Sequence, residues 1–275
     1  MQDELNTPIR FADRGDWWRG LVFAWRNALG HCLAAIPLHR WSSPAQSPAG
    51  WKCKARVAWC ESLLPLGNLY LQLQGAPSEV LSTPAWLRRE ACLAEALGRR
   101  IQVQPQRRGF LMAMLPGTGL DTILAGSSSQ TLKLEGVRLA AAALRRLHTM
   151  SLPPADGESE MVSHGDATCR NVVVDLDSGT AHWVDFDTRH RPELSLLERR
   201  SDDLRTLLLS SVASQAEGGD FEIARAVFAG YDDETVEERV RLSLTRRLYP
   251  SAFHAAQAPL SWSRFRRLRL LLAIG

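Results

Sequence analysis

The sequence has little of what marks several large classes of protein. Its five cysteines, Cys32, Cys53, Cys60, Cys92 and Cys169, are an odd number and contain no CxxC pair. This disfavours a disulfide framework and a zinc site, and it favours a reducing compartment. No segment approaches the roughly 18–20 apolar residues of a membrane span, and the first residues lack the apolar core of a signal peptide. We therefore expect a cytoplasmic protein.

A strong charge of one sign is also missing. The chain has 33 Lys and Arg against 30 Asp and Glu, a formal net charge of +3, so it carries no global electrostatic footprint for nucleic acid. Its 275 residues are 45% hydrophobic and 23% charged, which is enough to bury a substantial core. We expect an ordinary globular protein that does not bind nucleic acid.

Two alternating segments in the first half predict strands. From 51 to 59, apolar residues alternate with Lys52, Lys54 and Arg56, which is the period of a strand with one buried face. Residues 69–74 alternate leucine with tyrosine and glutamine and predict a second strand. We expect these two strands to pair in a small antiparallel sheet.

The remaining pattern moves from sheet to helix. A Thr-Pro start and helical spacing predict a helix over 83–97, and the apolar run 109–115 predicts a buried strand. The turn at 115–119 then serves as a hinge. An Ala- and Leu-rich segment predicts a long helix over 131–150, after which helices dominate apart from two short strands.

The segment with the most chemical information joins two motifs. Residues 163–175 read SHGDATCRNVVVD and residues 181–190 read AHWVDFDTRH. Asp166 and Asn171 are five positions apart, and Asp185 follows fourteen further on, after a predicted hairpin. Phosphoryl transfer to a hydroxyl needs a carboxylate to orient the nucleophile and oxygen ligands to hold Mg²⁺. These three residues supply those groups, although Asp, Asn and Gly also populate ordinary hairpin turns.

The first motif, HGDATCRN, resembles the HxDxxxxN catalytic loop of kinases, in the HGD form of the aminoglycoside-phosphotransferase-like and lipopolysaccharide-kinase-like families. The second, WVDFDT, resembles their metal-binding motif, and its DFD version is similar to that of Kdo kinases. Weaker likenesses extend the resemblance over about residues 68–210: ALRRLHTM before the loop, LMAMLPGTGLDTIL as the interlobe hinge, and SDDLRTLLLS as a helix start at 201.

The resemblance implies a role for each matching residue. Asp166 is the expected base, and Asn171 and Asp185 are the expected Mg²⁺ ligands beside bound ATP. Asp187, where protein kinases have glycine, adds metal ligation or charge. Arg170 either neutralises the transferred phosphate or pairs with a local carboxylate.

The N-terminal part departs from the family pattern. The strand that should carry the phosphate-binding lysine is best matched by 68–74, which presents Gln72 instead. Glu90 matches the helix glutamate that pairs with this lysine, with Glu95 as a competitor. Lys54 or Lys52 on the preceding strand then becomes the alternative contact to the phosphates. No GxGxxG loop covers the nucleotide.

Two residues are expected to support the site without reacting. His164 is predicted to scaffold its own loop through backbone hydrogen bonds. Asp203 is predicted either to brace that loop from behind or simply to cap the helix that starts near it. Cys169 is interpreted as a buried filler, because this chemistry needs no covalent intermediate.

Together the patterns predict an α+β, protein-kinase-like bilobal fold, with a small antiparallel-sheet lobe over 1–115 and a larger helical lobe over 116–275. The implied activity is ATP- and Mg²⁺-dependent phosphorylation of a sugar hydroxyl, in lipopolysaccharide core or a related, lipid-linked glycoconjugate. A pseudokinase acting as a binding module is the alternative. A protein Ser/Thr kinase is the third, although residues 188–200 are short for its peptide-docking segment and lack an APE-like end. The basic segment 261–275 either docks on the helical lobe, which we favour, or lies on an anionic membrane.

Overall fold

The computed structural model describes residues 39–41, 50–73, 75–152, 160–216, 218–246 and 260–274. Within these ranges the chain is an α+β protein with small antiparallel sheets and eight helices. The strands are β1 (His39–Trp41), β2 (Trp51–Arg56), β3 (Ser78–Val80), β4 (Ile101–Gln104), β5 (Gly109–Ala113), β6 (Thr118–Gly119), β7 (Ser151–Leu152), β8 (Glu160–Met161), β9 (Val172–Asp175), β10 (Thr180–Trp183) and β11 (Thr188–His190). The helices are α1 (Cys60–Leu73), α2 (Thr83–Ala96), α3 (Leu120–Ala125), α4 (Gln130–His148), α5 (Leu196–Ser214), α6 (Asp220–Tyr231), α7 (Glu234–Arg246) and α8 (Trp262–Ile274).

The largest sheet has four antiparallel strands in the order β1-β2-β5-β4. Helix α2 packs on one face, where Trp86 and Leu87 join Phe110 of β5 in a small apolar cluster. The predictions of a strand from 51, a helix over 83–97 and a strand over 109–115 are confirmed to within a few residues.

Strand β2 differs from its prediction in which face is buried. Lys54 and Arg56 are only 1% and 4% exposed, whereas Trp51, Cys53 and Ala55 are half-buried. Burying a cation is unfavourable unless it is paired, and both side chains have acidic neighbours and a Trp86 ring beside them. Charge partners, and not hydrophobicity, therefore decide which face of β2 points inward.

The predicted strand over 69–74 is wrong, because this segment is the end of helix α1. Cys60, Leu64 and Leu71 lie on one helical face and are buried, the two leucines against Val80. Leucine and glutamine are good helix formers, so a short alternation of the two is a weak strand signal. The antiparallel partners of β2 are β1 and β5.

Helices dominate the rest of the described chain, as predicted, but five short strands follow α4 where two were predicted. Helix α4 spans 130–148 and contacts the β9–β10 hairpin and α6. Strand β6 adds to this hairpin, pairing Thr118 with Val174. Helix α5 begins at Leu196 behind a Ser195–Glu198 capping box, earlier than the helix start predicted at 201.

The C-terminal helix α8 is docked on the other helices. Phe265, Leu268 and Leu272 are buried in the main core, and Arg264 forms an ion pair with Asp220 of α6. The preferred of the two predictions for this segment is confirmed. None of the helices in the described ranges has the length and apolar character needed to cross a bilayer.

Cys32 and most of the first 49 residues of the lobe predicted over 1–115 lie outside the described residues.

Candidate functional site

Residues 164–171, here called the 164–171 loop, connect the segment after β8 to strand β9. Asp203 of α5 holds the start of this loop: its Oδ2 accepts from the backbone N–H of His164 at 2.7 Å and its Oδ1 from that of Gly165 at 2.9 Å. Gly165 has φ +83°, and a Cβ there would lie 3.1 Å from the backbone of Arg189. Glycine is favoured at this position because a side chain would be strained in this conformation and tight against the neighbouring backbone.

Asp203 is fully buried and stays ionised. Burial alone would raise the pKa of its carboxyl, but His190 and the hydrogen bond from His148 Nε2 at 2.9 Å outweigh this effect and hold the pKa at about 2. His148 Nδ1 in turn accepts from the Tyr231 hydroxyl at 2.7 Å. Of the two predicted roles for Asp203 the structure supports the brace, since the residue lies inside α5 and not at its N-terminus.

His164 is a neutral part of the loop scaffold, as expected. Its Nε2 lies 3.0 Å from the carbonyl of Val184, which can only accept, so this nitrogen carries the proton. Its Nδ1 accepts from the N–H of Asp166 at 3.3 Å. Burial between Trp183 and Phe186 lowers the pKa of the ring to about 4.

The structure brings Asp166 and Asn171 together as the motif predicts. The Asn171 side-chain amide donates to both the backbone oxygen and the carboxylate Oδ2 of Asp166, each at 2.9 Å. The backbone carbonyl of Asn171 accepts from Val184 N–H at 2.8 Å, which connects the loop to the residue before Asp185. Because the amide nitrogen is used in this way, the side-chain oxygen is the Asn171 atom suited to a cation.

Asp185 follows β10 in a left-handed conformation with φ +72°, which is unfavourable for a residue with a side chain and is typical of functional sites. Its carboxylate forms an ion pair with Lys54 Nζ, which is almost fully buried. Burial alone would lower the pKa of Lys54, but Asp185, Asp187 and Glu90 raise it, so the amine is charged. Lys54 is therefore the cation that the sheet supplies to this site.

Glu90 of α2 lies close to the Lys54–Asp185 pair, and we call these three residues the centre. One carboxylate oxygen accepts from the backbone N–H of Phe186 at 2.9 Å and from Trp86 Nε1 at 3.1 Å. Burial raises the pKa of Glu90, opposed by the charge of Lys54. Of the two glutamates considered, Glu90 faces the site and Glu95 is exposed.

Asp187 is buried beside this centre, and its backbone oxygen accepts from Leu81 N–H at 2.8 Å. Burial and the charge of Asp185 raise its pKa to about 7, while Lys54 and Arg56 act in the opposite direction. Arg56 donates to the carbonyl of Leu81. Asp187 thus lies among two acids and two cations.

Three residues named from the sequence do not join the centre. Gln72 lies on α1 with its side chain exposed, so its assignment to the phosphate-binding strand is wrong. Lys52 points outward from β2. Arg170 belongs to the 164–171 loop but is exposed, and no hydrogen bond or ion pair links it to another described residue.

Sequence reasoning missed several buried residues around Ser163, the residue before the loop. Arg89 of α2 is buried and donates to the carbonyl of Ser163 at 2.5 Å. The buried His190 of β11 contacts the Ser163 hydroxyl through one ring nitrogen and the buried Asp202 of α5 through the other. The sequence has two pairs of adjacent charged residues here, Arg89-Glu90 and Asp202-Asp203. Only the fold shows that all four side chains are buried.

The donor set is compatible with Mg²⁺ bound together with a phosphate group. In the described part of the chain, no group of three or more His, Cys, Asp or Glu side chains is placed to hold a metal by itself. Mg²⁺ in nucleotide sites usually takes only one or two carboxylates and completes its shell with water and phosphate oxygens. Asn171 and Asp185, with Asp187 nearby, fit that requirement.

The sequence matches no protein-family model and no curated protein.

Proposed function

We propose that this chain is a protein-kinase-like phosphotransferase, with a sheet lobe within 1–115 and a helical lobe within 116–275. One observation carries the proposal: the centre joins Lys54 and Glu90 from the sheet side to Asp185 beside the Asp166–Asn171 pair. Acids, an amide and a buried lysine in this arrangement match the needs of phosphoryl transfer, which depends on positioning and charge neutralisation.

Each residue has a distinct task in this proposal. Lys54 binds the phosphates of ATP, and Glu90 keeps it oriented. Asn171 and Asp185 hold Mg²⁺, with Asp187 as an additional acid, and the metal neutralises charge on the phosphates when bound. Asp166 accepts the proton of the acceptor hydroxyl, since its carboxylate is oriented by Asn171.

Arg170 is the exposed cation of the same loop. In this proposal it attracts the phosphate on the acceptor side, because a guanidinium matches phosphate geometry and no described residue competes for it. Its exposure also makes it the residue of the set whose loss should disturb the fold least.

For the acceptor we propose a sugar hydroxyl, in lipopolysaccharide core or a related glycoconjugate, on the strength of the HGD and DFD motifs. A lipid-linked acceptor would bring a cytoplasmic protein to the inner membrane face. Arg267 on docked helix α8 is half exposed, but its guanidinium is ion-paired with Asp220 at 3.2 Å, so contact with anionic lipid there would compete with this pair.

The test is nucleotide binding followed by phosphate transfer. Thermal stabilisation by Mg-ATP should occur in wild type and in Asp166→Ala, while ADP release should require Asp166. Lys54→Met should weaken Mg-ATP binding, and Lys52→Met, which changes an exposed lysine of the same strand, is the matched control. Absence of both binding and Asp166-dependent turnover in wild type would refute the proposal.

A pseudokinase is the second candidate, and the Lys54–Asp185 ion pair favours it. In this ion pair the proposed phosphate-binding residue, Lys54, and the proposed metal ligand, Asp185, bind each other. If the pair does not open, the protein binds partners without transferring phosphate. Stabilisation by Mg-ATP without turnover, or no effect of Mg-ATP at all on a well-folded chain, would support this candidate.

A further inference from the structure

His190 lies where strand β11 meets helix α5 and Ser163, the residue before the 164–171 loop. It ends β11, which follows the Asp185–Asp187 segment, and its side chain is buried between Ser163 and α5. Its Nδ1 lies 2.8 Å from Ser163 Oγ, and its Nε2 lies 3.3 Å from Asp202 Oδ2. None of the roles proposed above uses this histidine.

Two adjacent carboxylates face the His190 ring. Nε2 is 3.3 Å from Asp202 and 3.9 Å from Asp203, and both acids are buried. Two buried carboxylates side by side repel each other unless a cation lies between them. A charged His190 fills this role for the pair.

Other charged groups surround this arrangement. On α5, Arg205 is ion-paired with the second oxygen of Asp202, and Arg199 opposes protonation of His190. On α4, His148 is hydrogen-bonded to Asp203 and its ring is kept neutral because burial lowers its pKa. From β3, the residue paired with His190 is the uncharged Ser78. Burial alone would lower the pKa of His190, but Asp203 and Asp202 raise it above its usual range.

We propose that charged His190 is a positioning residue for Asp166: it neutralises Asp202 and Asp203 and ties them to Ser163, so that the site depends on its proton. The inference rests on the proposed function. Asp203 braces the first two residues of the 164–171 loop, and Arg89 donates to the backbone carbonyl of Ser163. Loss of the His190 proton removes the cation from between the carboxylates and loosens that brace.

Two substitutions separate the two contacts of the ring. His190→Asn keeps an amide near the position of Nδ1 and loses the contact with Asp202, whereas His190→Gln extends toward Asp202 and loses the contact with Ser163. Neither carries charge. His182→Gln is the matched control, because His182 lies on β10, is half-buried, and takes no part in this network.

The experiment combines three measurements on the full chain between pH 6 and pH 9. Histidine NMR should show a resonance, absent from His190→Gln, that titrates above pH 6.5, the ordinary histidine pKa. Amide hydrogen exchange of 163–171, corrected for intrinsic rates, should lose protection as that resonance titrates. Release of ADP from Mg-ATP should fall over the same interval, and both variants should lower it by roughly tenfold at neutral pH.

The outcomes distinguish the two proposals. Titration of His190 and deprotection of 163–171 in a chain that never releases ADP would refute the phosphotransferase function and support the brace. An active wild type whose His190 titrates at or below pH 6.5, or whose variants keep its loop protection and pH profile, would overturn the role of His190. A similar effect of His182→Gln would also overturn it.

Discussion

Lys54 and Asp185, 131 positions apart in the sequence, form an ion pair in which the lysine is almost fully buried. The pair fastens the four-stranded sheet to the segment that follows the β9–β10 hairpin. Removing one member of such a pair leaves the other charge without compensation, which is costlier than replacing both.

Lys54→Met should therefore destabilise the fold by about 3 kcal/mol, near the lower end of the range for a broken buried pair because Asp185 keeps some access to water. Lys52→Met, at an exposed position of the same strand, should change stability by less than about 0.5 kcal/mol. Urea denaturation monitored by tryptophan fluorescence measures both. Equal effects of the two substitutions would contradict the role assigned to Lys54.

Asp203→Asn should show the pH dependence of an acid with a lowered pKa. The carboxyl has a pKa of about 2 in the folded chain against an ordinary value of 3.8, so its ionisation stabilises the fold above pH 3.8 and this contribution is lost as the pH falls toward 2. The contribution is about 2 kcal/mol. The difference in unfolding free energy between wild type and variant should shrink as the pH falls below about 4. A difference that grows on acidification would refute this account.

Gly165→Ala should destabilise more than Gly179→Ala. Both glycines have positive φ, +83° and +65°, so alanine is strained at either position. Only at Gly165 would the new Cβ also approach a backbone, that of Arg189 at 3.1 Å, whereas the space at Gly179 is open. We expect about 1 kcal/mol for Gly179→Ala and about 2–3 kcal/mol for Gly165→Ala. Thermal unfolding of the two variants side by side provides the comparison.

The side chain of Asn68 bonds the backbone of β3 as a neighbouring strand would, and its removal should lower stability. Its side chain donates to the carbonyl of Val80 at 2.9 Å and accepts from the N–H of the same residue at 2.8 Å. Asn68→Ala should lower the unfolding free energy by about 2 kcal/mol, because both buried backbone groups lose their partner. Gln72→Ala, on the exposed side of the same helix, is the control: it should alter neither stability nor the binding of Mg-ATP. Weaker nucleotide binding by Gln72→Ala would support the assignment of Gln72 to the phosphate-binding position, which its place on the helix contradicts.

The sequence predicted best those features whose causes are local. The spacing of Asp166, Asn171 and Asp185 is short and crosses one hairpin, and the helices over 83–96 and 130–148 have complete apolar periods. The structure of each of these elements is determined mainly by residues within the element itself. The predicted approach of Asp166 and Asn171, which lie in one short loop, is confirmed by the hydrogen bonds between them.

The failures have a different physical origin. Residues 69–74 alternate for only a few positions, and the longer helical face that includes Leu64 decides their structure. The inward face of β2 depends on acids contributed by α2 and by the segment after β10, so hydrophobicity alone predicts the wrong face. The position of His190 depends on α5 and on the segment before the 164–171 loop, and no local pattern contains that information.

The inward-facing cations of β2 also have a consequence during biosynthesis. Lys54 and Arg56 leave the ribosome long before Asp185 and Asp187, so for that interval the strand exposes charge on the face it will later bury. Charged residues within a strand discourage its association with strands of other chains. The same two side chains that the finished protein neutralises are therefore expected to discourage aggregation of the incomplete chain until Asp185 and Asp187 have been made.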